Sequence, residues 1–141
     1  MESVKYFFWL FESIWSSFCY AWPISVPVSL FIFVAIFINK PFRKDVFKTK
    51  YLLLLIPFLL PIFILVLGTV FVNETNDIFQ ANKLAQYIVV LLFFLHLPLG
   101  IFLVYSFKGI RFFTISINLF QMWLSFLSWF VAGMSISGDW L

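Results

Sequence analysis

The sequence predicts an all-α integral membrane protein: a four-transmembrane-helix bundle with an amphipathic N-terminal interfacial segment. Three observations lead there. Of 141 residues, 64% are hydrophobic and only 11% charged, against roughly 25% charged in soluble domains. Four apolar segments are each long enough to cross a hydrocarbon core about 30 Å thick, which needs about 20 residues per helix. The basic residues gather in alternate connections between those segments.

Before the first apolar segment, Phe7, Phe11, Ile14 and Phe18 fall on one helical face, while Glu12, Ser13, Ser16, Ser17 and Tyr20 lean to another. This is the pattern of a helix lying in an interface. The first span is expected over about 14–38. A straight helix over 6–38 would reach about 50 Å at ~1.5 Å per residue, too long for a bilayer without steep tilt. A bend is therefore expected, supplied by Pro23 or Pro27, with Trp9, Trp15 and Trp22 near headgroup level. Glu12 interrupts the early apolar run and the amino end has little positive bias, so the N-terminus is read as retained rather than cleaved. Phe18 stands where a lipoprotein cleavage site before Cys19 would have a small residue. As the single cysteine, Cys19 also excludes an intramolecular disulfide or a CxxC site within one chain.

The second span is expected over about 51–72, with Pro57 and Pro61 spaced like Pro23 and Pro27. Paired prolines mark either hinged helices or the general tolerance of membrane helices for proline. The third span is expected over 84–106 and the fourth over 112–136. Short polar connections make consecutive spans antiparallel neighbours in a single membrane domain, 1–141.

Orientation follows from the cations. The first connection holds Lys40, Arg43, Lys44, Lys48 and Lys50, and the third holds Lys108 and Arg111; only Lys5 and Lys83 fall on the other side. Positively charged short loops stay cytoplasmic, so both termini and the connection containing Asn73, Glu74 and Asp77 are expected outside a cell membrane. The five cations from Lys40 to Lys50, interleaved with Phe42 and Phe47, are candidate contacts for anionic lipid as well as a topology signal. Nucleic-acid binding would need a larger basic surface. Asn73-Glu74-Thr75 has the form of a glycosylation acceptor, and Trp140 that of an interfacial anchor.

The fourth span carries its small and polar residues on one stripe: Thr114, Asn118, Gln121, Ser125, Ser128, Ala132 and Ser135, at spacings 4, 3, 4, 3, 4, 3. That is heptad spacing, which keeps all of them on one face. One face can meet lipid and the other needs a partner, either the remaining spans or a second copy. His96 falls near the middle of the third span, at the depth of Gln121 to Ser125. Either these groups form an interhelical lock of about 0.6–2 kcal/mol per hydrogen bond, or His96 faces a polar passage lined by Asn118, Gln121, Ser125 and Ser128 and responds to pH. His96-Leu97-Pro98-Leu99-Gly100 frees backbone carbonyls and suits a cavity or a kink equally.

No HExxH, GxSxG or Walker glycine loop occurs, and no acidic pair lies inside a span, so no catalytic, cofactor or metal site is expected. Haem would need a second histidine from another chain. The functional expectation is a non-enzymatic accessory, scaffold or assembly subunit of a membrane complex, with lipid and protein partners or self-association through the fourth span. The alternative is an oligomeric channel or small transporter with a polar path along that span, including a membrane-permeabilising or protective protein of a microbial conflict system.

Overall fold

The computed structural model describes residues 2–39, 49–73 and 82–138. They are almost wholly helical. Helix α1 runs Glu2–Tyr20, α2 Trp22–Asn39, a 3-10 helix Thr49–Phe58 leads into α3 Leu59–Val70, and α4 Lys83–Ser106 passes through a short 3-10 turn, Lys108–Ile110, into α5 Arg111–Ser137. Three stretches are long and apolar enough to cross a membrane: Leu52–Val70, Lys83–Ser106 and Lys108–Ser137; the bent pair α1–α2 makes a fourth if it counts as one. The connection carrying Lys40, Arg43, Lys44 and Lys48 lies outside the described residues, and so does the side chain of Lys50.

The expected bend is present. α1 and α2 meet at 91°, and the break is at Ala21, inside the first expected span. The cause is Pro23 rather than Pro27: without an N–H it cannot extend the α1 ladder. Ala21 closes α1 by donating to the Ser17 carbonyl at 2.9 Å, and its own carbonyl starts α2 by accepting from Ser25 N–H at 2.9 Å. Pro27 is accommodated inside α2.

α1 buries Leu10 and Ile14 against Leu65, Leu127 and Val131, with Tyr6, Phe7 and Phe18 packed alongside. Of the apolar face read from the sequence, Ile14 is buried and Phe11 exposed, while Leu10 is fully buried. Val4, Phe8, Phe11 and Trp15 instead form a second, exposed apolar strip one step round the helix.

The second expected span is not a uniform α-helix. Its first half is the 3-10 helix Thr49–Phe58, with Pro57 inside it, and only Leu59–Val70 is α-helical. Pro57 and Pro61 each remove a donor from the ladder. Pro61 falls in the first turn of α3. α4 and α5 match the expected third and fourth spans to within a residue at each end. Asn82 caps α4 by accepting from Ala85 N–H at 3.1 Å, and Gly138, with φ 76°, closes α5 in the left-handed conformation that glycine adopts without strain.

α5 is the central helix and packs against α1, α2, α3 and α4. Ile64, Ala85, Val89, Ala132 and Ile136 make one apolar cluster; Ala35, Leu54, Leu103, Phe107 and Phe113 make another. α3 and α5 approach closely at Gly68, where an added Cβ would come within 2.8 Å of Ala132 Cβ. Asn73 N–H donates to Ser135 O at 2.9 Å and Tyr6 pairs with the Ser135 hydroxyl at 2.9 Å. These bonds gather α1, the end of α3 and the end of α5 at one end of the bundle.

Candidate functional site

The polar stripe of α5 turns inward within a single chain. Thr114, Gln121, Ser125, Ser128, Ala132 and Ser135 are all buried, and Asn118 is half-buried. What the stripe does can be read from its hydrogen bonds, two of which, from Gln121 and Ser135, end on backbone carbonyls that the fold has left without a helical donor.

Gln121 is the clearest case. In a 3-10 helix each carbonyl accepts from the N–H three residues on, and for Leu54 that residue is Pro57, which has none. Gln121 supplies the missing donor, its side-chain Nε2 reaching Leu54 O at 2.6 Å. Ser135 does the same at the end of α3, donating to Gly68 O at 2.8 Å. Asn73 donates through Nδ2 to Ser137 O at 3.2 Å at the end of α5. Carbonyls in the last turn of a helix need such outside partners, and in an apolar surround an unmet one costs several kcal/mol.

The α1–α2 corner is built on the same principle. Ser25, fully buried, donates its hydroxyl to Phe18 O at 2.8 Å and accepts from Trp123 Nε1 at 3.0 Å. One side chain thus satisfies the end of α1 and fastens the corner to α5. Sequence reasoning missed Ser25 and Trp123, because nothing in their local spacing signals a partner 98 residues away. Thr114 and Ser116 turn back on their own helix, donating to Ile110 O at 3.1 Å and Phe112 O at 2.9 Å.

The expected meeting of His96 with the stripe does occur. His96 Nδ1 and Ser125 Oγ are 3.1 Å apart, both buried. Asn118 reaches back to Gly100 O, one turn along α4, at 3.5 Å, the long limit of a hydrogen bond. Three polar atoms in this layer are buried with no partner: His96 Nε2, Asn118 Oδ1 and Gln121 Oε1. Such groups are exceptions in folded proteins and ask for an explanation.

His96, Gly100 and Asn118 also form the deep side of a groove of about 470 Å³ between α4 and α5, open to the outside of the bundle. Its rim is exposed Leu97, Ile101, Ile115 and Leu119, with Tyr105 at one end. Among the described residues no three of His, Cys, Asp and Glu cluster as metal ligands would.

The class this geometry defines is a helical bundle with three to four apolar helices and an internal layer of polar side chains that completes broken backbone ladders. Comparison with family models, with curated proteins and with solved structures finds no match for this chain.

Proposed function

We propose that the chain is a multi-pass membrane protein acting as a non-enzymatic accessory, scaffold or assembly subunit of a membrane complex. The observation that carries this reading is the use made of the polar residues. Gln121, Ser135 and Ser25 complete the fold's own backbone ladders, which gives them a role in holding shape rather than in passing a solute. The outward surface of α2 and α4 is apolar, with Phe31, Phe33, Phe37, Leu91, Phe94 and Phe102 exposed, a surface suited to lipid and to neighbouring helices.

In this reading the membrane is the cell membrane, the termini are extracytoplasmic and the basic connections are cytoplasmic. The gathering of α1, Asn73 and the end of α5 at one end of the bundle agrees with that orientation, as does the exposure of Lys108 and Arg111 on the connection between α4 and α5. α1, at 91° to α2, then lies in the outer interface, its strip of Val4, Phe8, Phe11 and Trp15 towards the acyl chains.

The test is gentle extraction from the native membrane, affinity capture and native mass spectrometry. A stoichiometric complex with other proteins supports the accessory reading, and a closed ring of this chain alone overturns it.

A channel or small transporter is the second reading, favoured by the unpartnered atoms of His96, Asn118 and Gln121 in one layer. It predicts that Asn118→Leu and Gln121→Leu abolish flux through reconstituted vesicles while the protein still folds; unchanged flux removes the path. Because the stripe is covered by the chain's own helices, a path lined by several copies would require this bundle to open.

A further inference from the structure

We propose that the groove between α4 and α5 binds an uncharged lipid alcohol, an apolar chain ending in a hydroxyl that donates to Asn118. The inference rests on the membrane reading above, since it is the bilayer that presents such a molecule to an outward-opening groove.

The groove has the size and character of a ligand site. At about 470 Å³ it falls within the roughly 300–1,000 Å³ of small-molecule pockets, which are mostly apolar with a few converging polar groups. Gly100 helps to make the space: its missing side chain leaves the face of α4 open beside Asn118, whose Cγ and Oδ1 would lie 3.5 Å from a Cβ placed there.

The chemistry of the deep side selects the ligand. Asn118 Oδ1 is an acceptor with no donor, so the ligand must bring one; an ether, ketone or ester cannot. Among the described residues no Lys, Arg, Asp or Glu borders the groove, so a phosphate or carboxylate head finds no counter-charge from them, and burying either unpaired is costly. A hydroxyl is neutral, donates once and accepts twice. His96 Nε2, also unpartnered and one turn before Gly100 on α4, is a second polar atom on the same wall, and in the tautomer whose Nδ1 accepts from Ser125 it donates to the ligand's oxygen, directly or through water.

Asn118 is loosely held, its only hydrogen bond being the one at 3.5 Å to Gly100 O. Turning its amide about the soft terminal torsion brings Oδ1 from beneath the surface into the groove. In hydrocarbon an unmet carbonyl oxygen has strong reason to make that turn once a donor arrives.

The test uses the full chain in lipid nanodiscs with a long-chain primary alcohol carrying a mid-chain diazirine, photolysed and mapped by mass spectrometry. The expected result is saturable labelling at Ile101, Ile115 or Leu119. The methyl ether of the same probe, which accepts but cannot donate, should need a roughly tenfold higher concentration, the worth of one buried hydrogen bond. Asn118→Leu should shift the alcohol by a similar factor and leave the ether unmoved, and Gly100→Leu should remove groove labelling by filling it. Equal labelling by alcohol and ether overturns the proposal without needing any variant. So does labelling that never saturates and spreads over all outward-facing residues of a chain retained in carbonate-washed membranes. Release of the chain by carbonate overturns the membrane reading, and the lipid ligand with it.

Discussion

Replacing Gln121 with leucine removes the donor to the Leu54 carbonyl while keeping most of the volume, and it should cost about 1–2 kcal/mol of stability. The same change should cost less in a Pro57→Ala background, because alanine restores the N–H that Leu54 O otherwise lacks. A double-mutant cycle by unfolding in detergent measures that coupling, and additive losses would break the link between Gln121 and Pro57. Gly68 of α3 and Gly133 of α5 make a second contrast. A methyl at Gly68 would press within 2.8 Å of Ala132 Cβ and 2.9 Å of its Cα, whereas one at Gly133 meets nothing within 4 Å. Gly68→Ala is therefore expected to destabilise by about 1–3 kcal/mol, and Gly133→Ala to leave the melting midpoint unchanged or slightly raised. At this scale the sequence showed which side of α5 is polar. It did not show why Gln121 in particular is needed, since the orphan carbonyl lies 67 residues away and exists only because that stretch is 3-10.

A helix boundary is a balance between the backbone ladder and whatever interrupts it, and the α1–α2 corner is where that balance decides the shape of this molecule. Pro23 breaks the ladder, but a break by itself leaves the angle free. Ser25, joined to Phe18 O at 2.8 Å and to Trp123 at 3.0 Å, sets it. Cys19 is exposed beside the corner and is the single cysteine, so a spin label there reports directly. Ser25→Ala and Trp123→Phe are both expected to increase label mobility, with Ser25→Ala the larger because it loses two bonds. Unchanged spectra in both would mean that packing of Leu10 and Ile14 alone holds α1. The bend was legible from length and proline, and Pro23 was one of its two named causes. Its right angle was not legible, because it depends on a tryptophan four helices further along the chain.

For the molecule as a whole, the alternation of basic and non-basic connections predicts an orientation that labelling can check. In a Cys19→Ser background, a cysteine at Lys48 is expected to react with an impermeant maleimide only after the cells are permeabilised, and one at Thr75 to react on intact cells. The reverse pattern would invert the topology and place α1 on the cytoplasmic face. The limits of α4 and α5 were determined by the sequence to within a residue, because apolar run length and polar punctuation are local properties that each segment carries without its neighbours, whereas the split of the first expected span at Ala21 and the 3-10 start of the second were not. Which partner the polar stripe would meet was left open between the chain's own helices and a second copy, and the tertiary structure decided for the chain itself. The physical reason is that prolines and helix ends create unmet carbonyls at Leu54, Gly68 and Phe18, and a donor can find them only once the helices have packed. The groove at Asn118 and Gly100 belongs to the same class of property: it exists between two helices and in neither one alone.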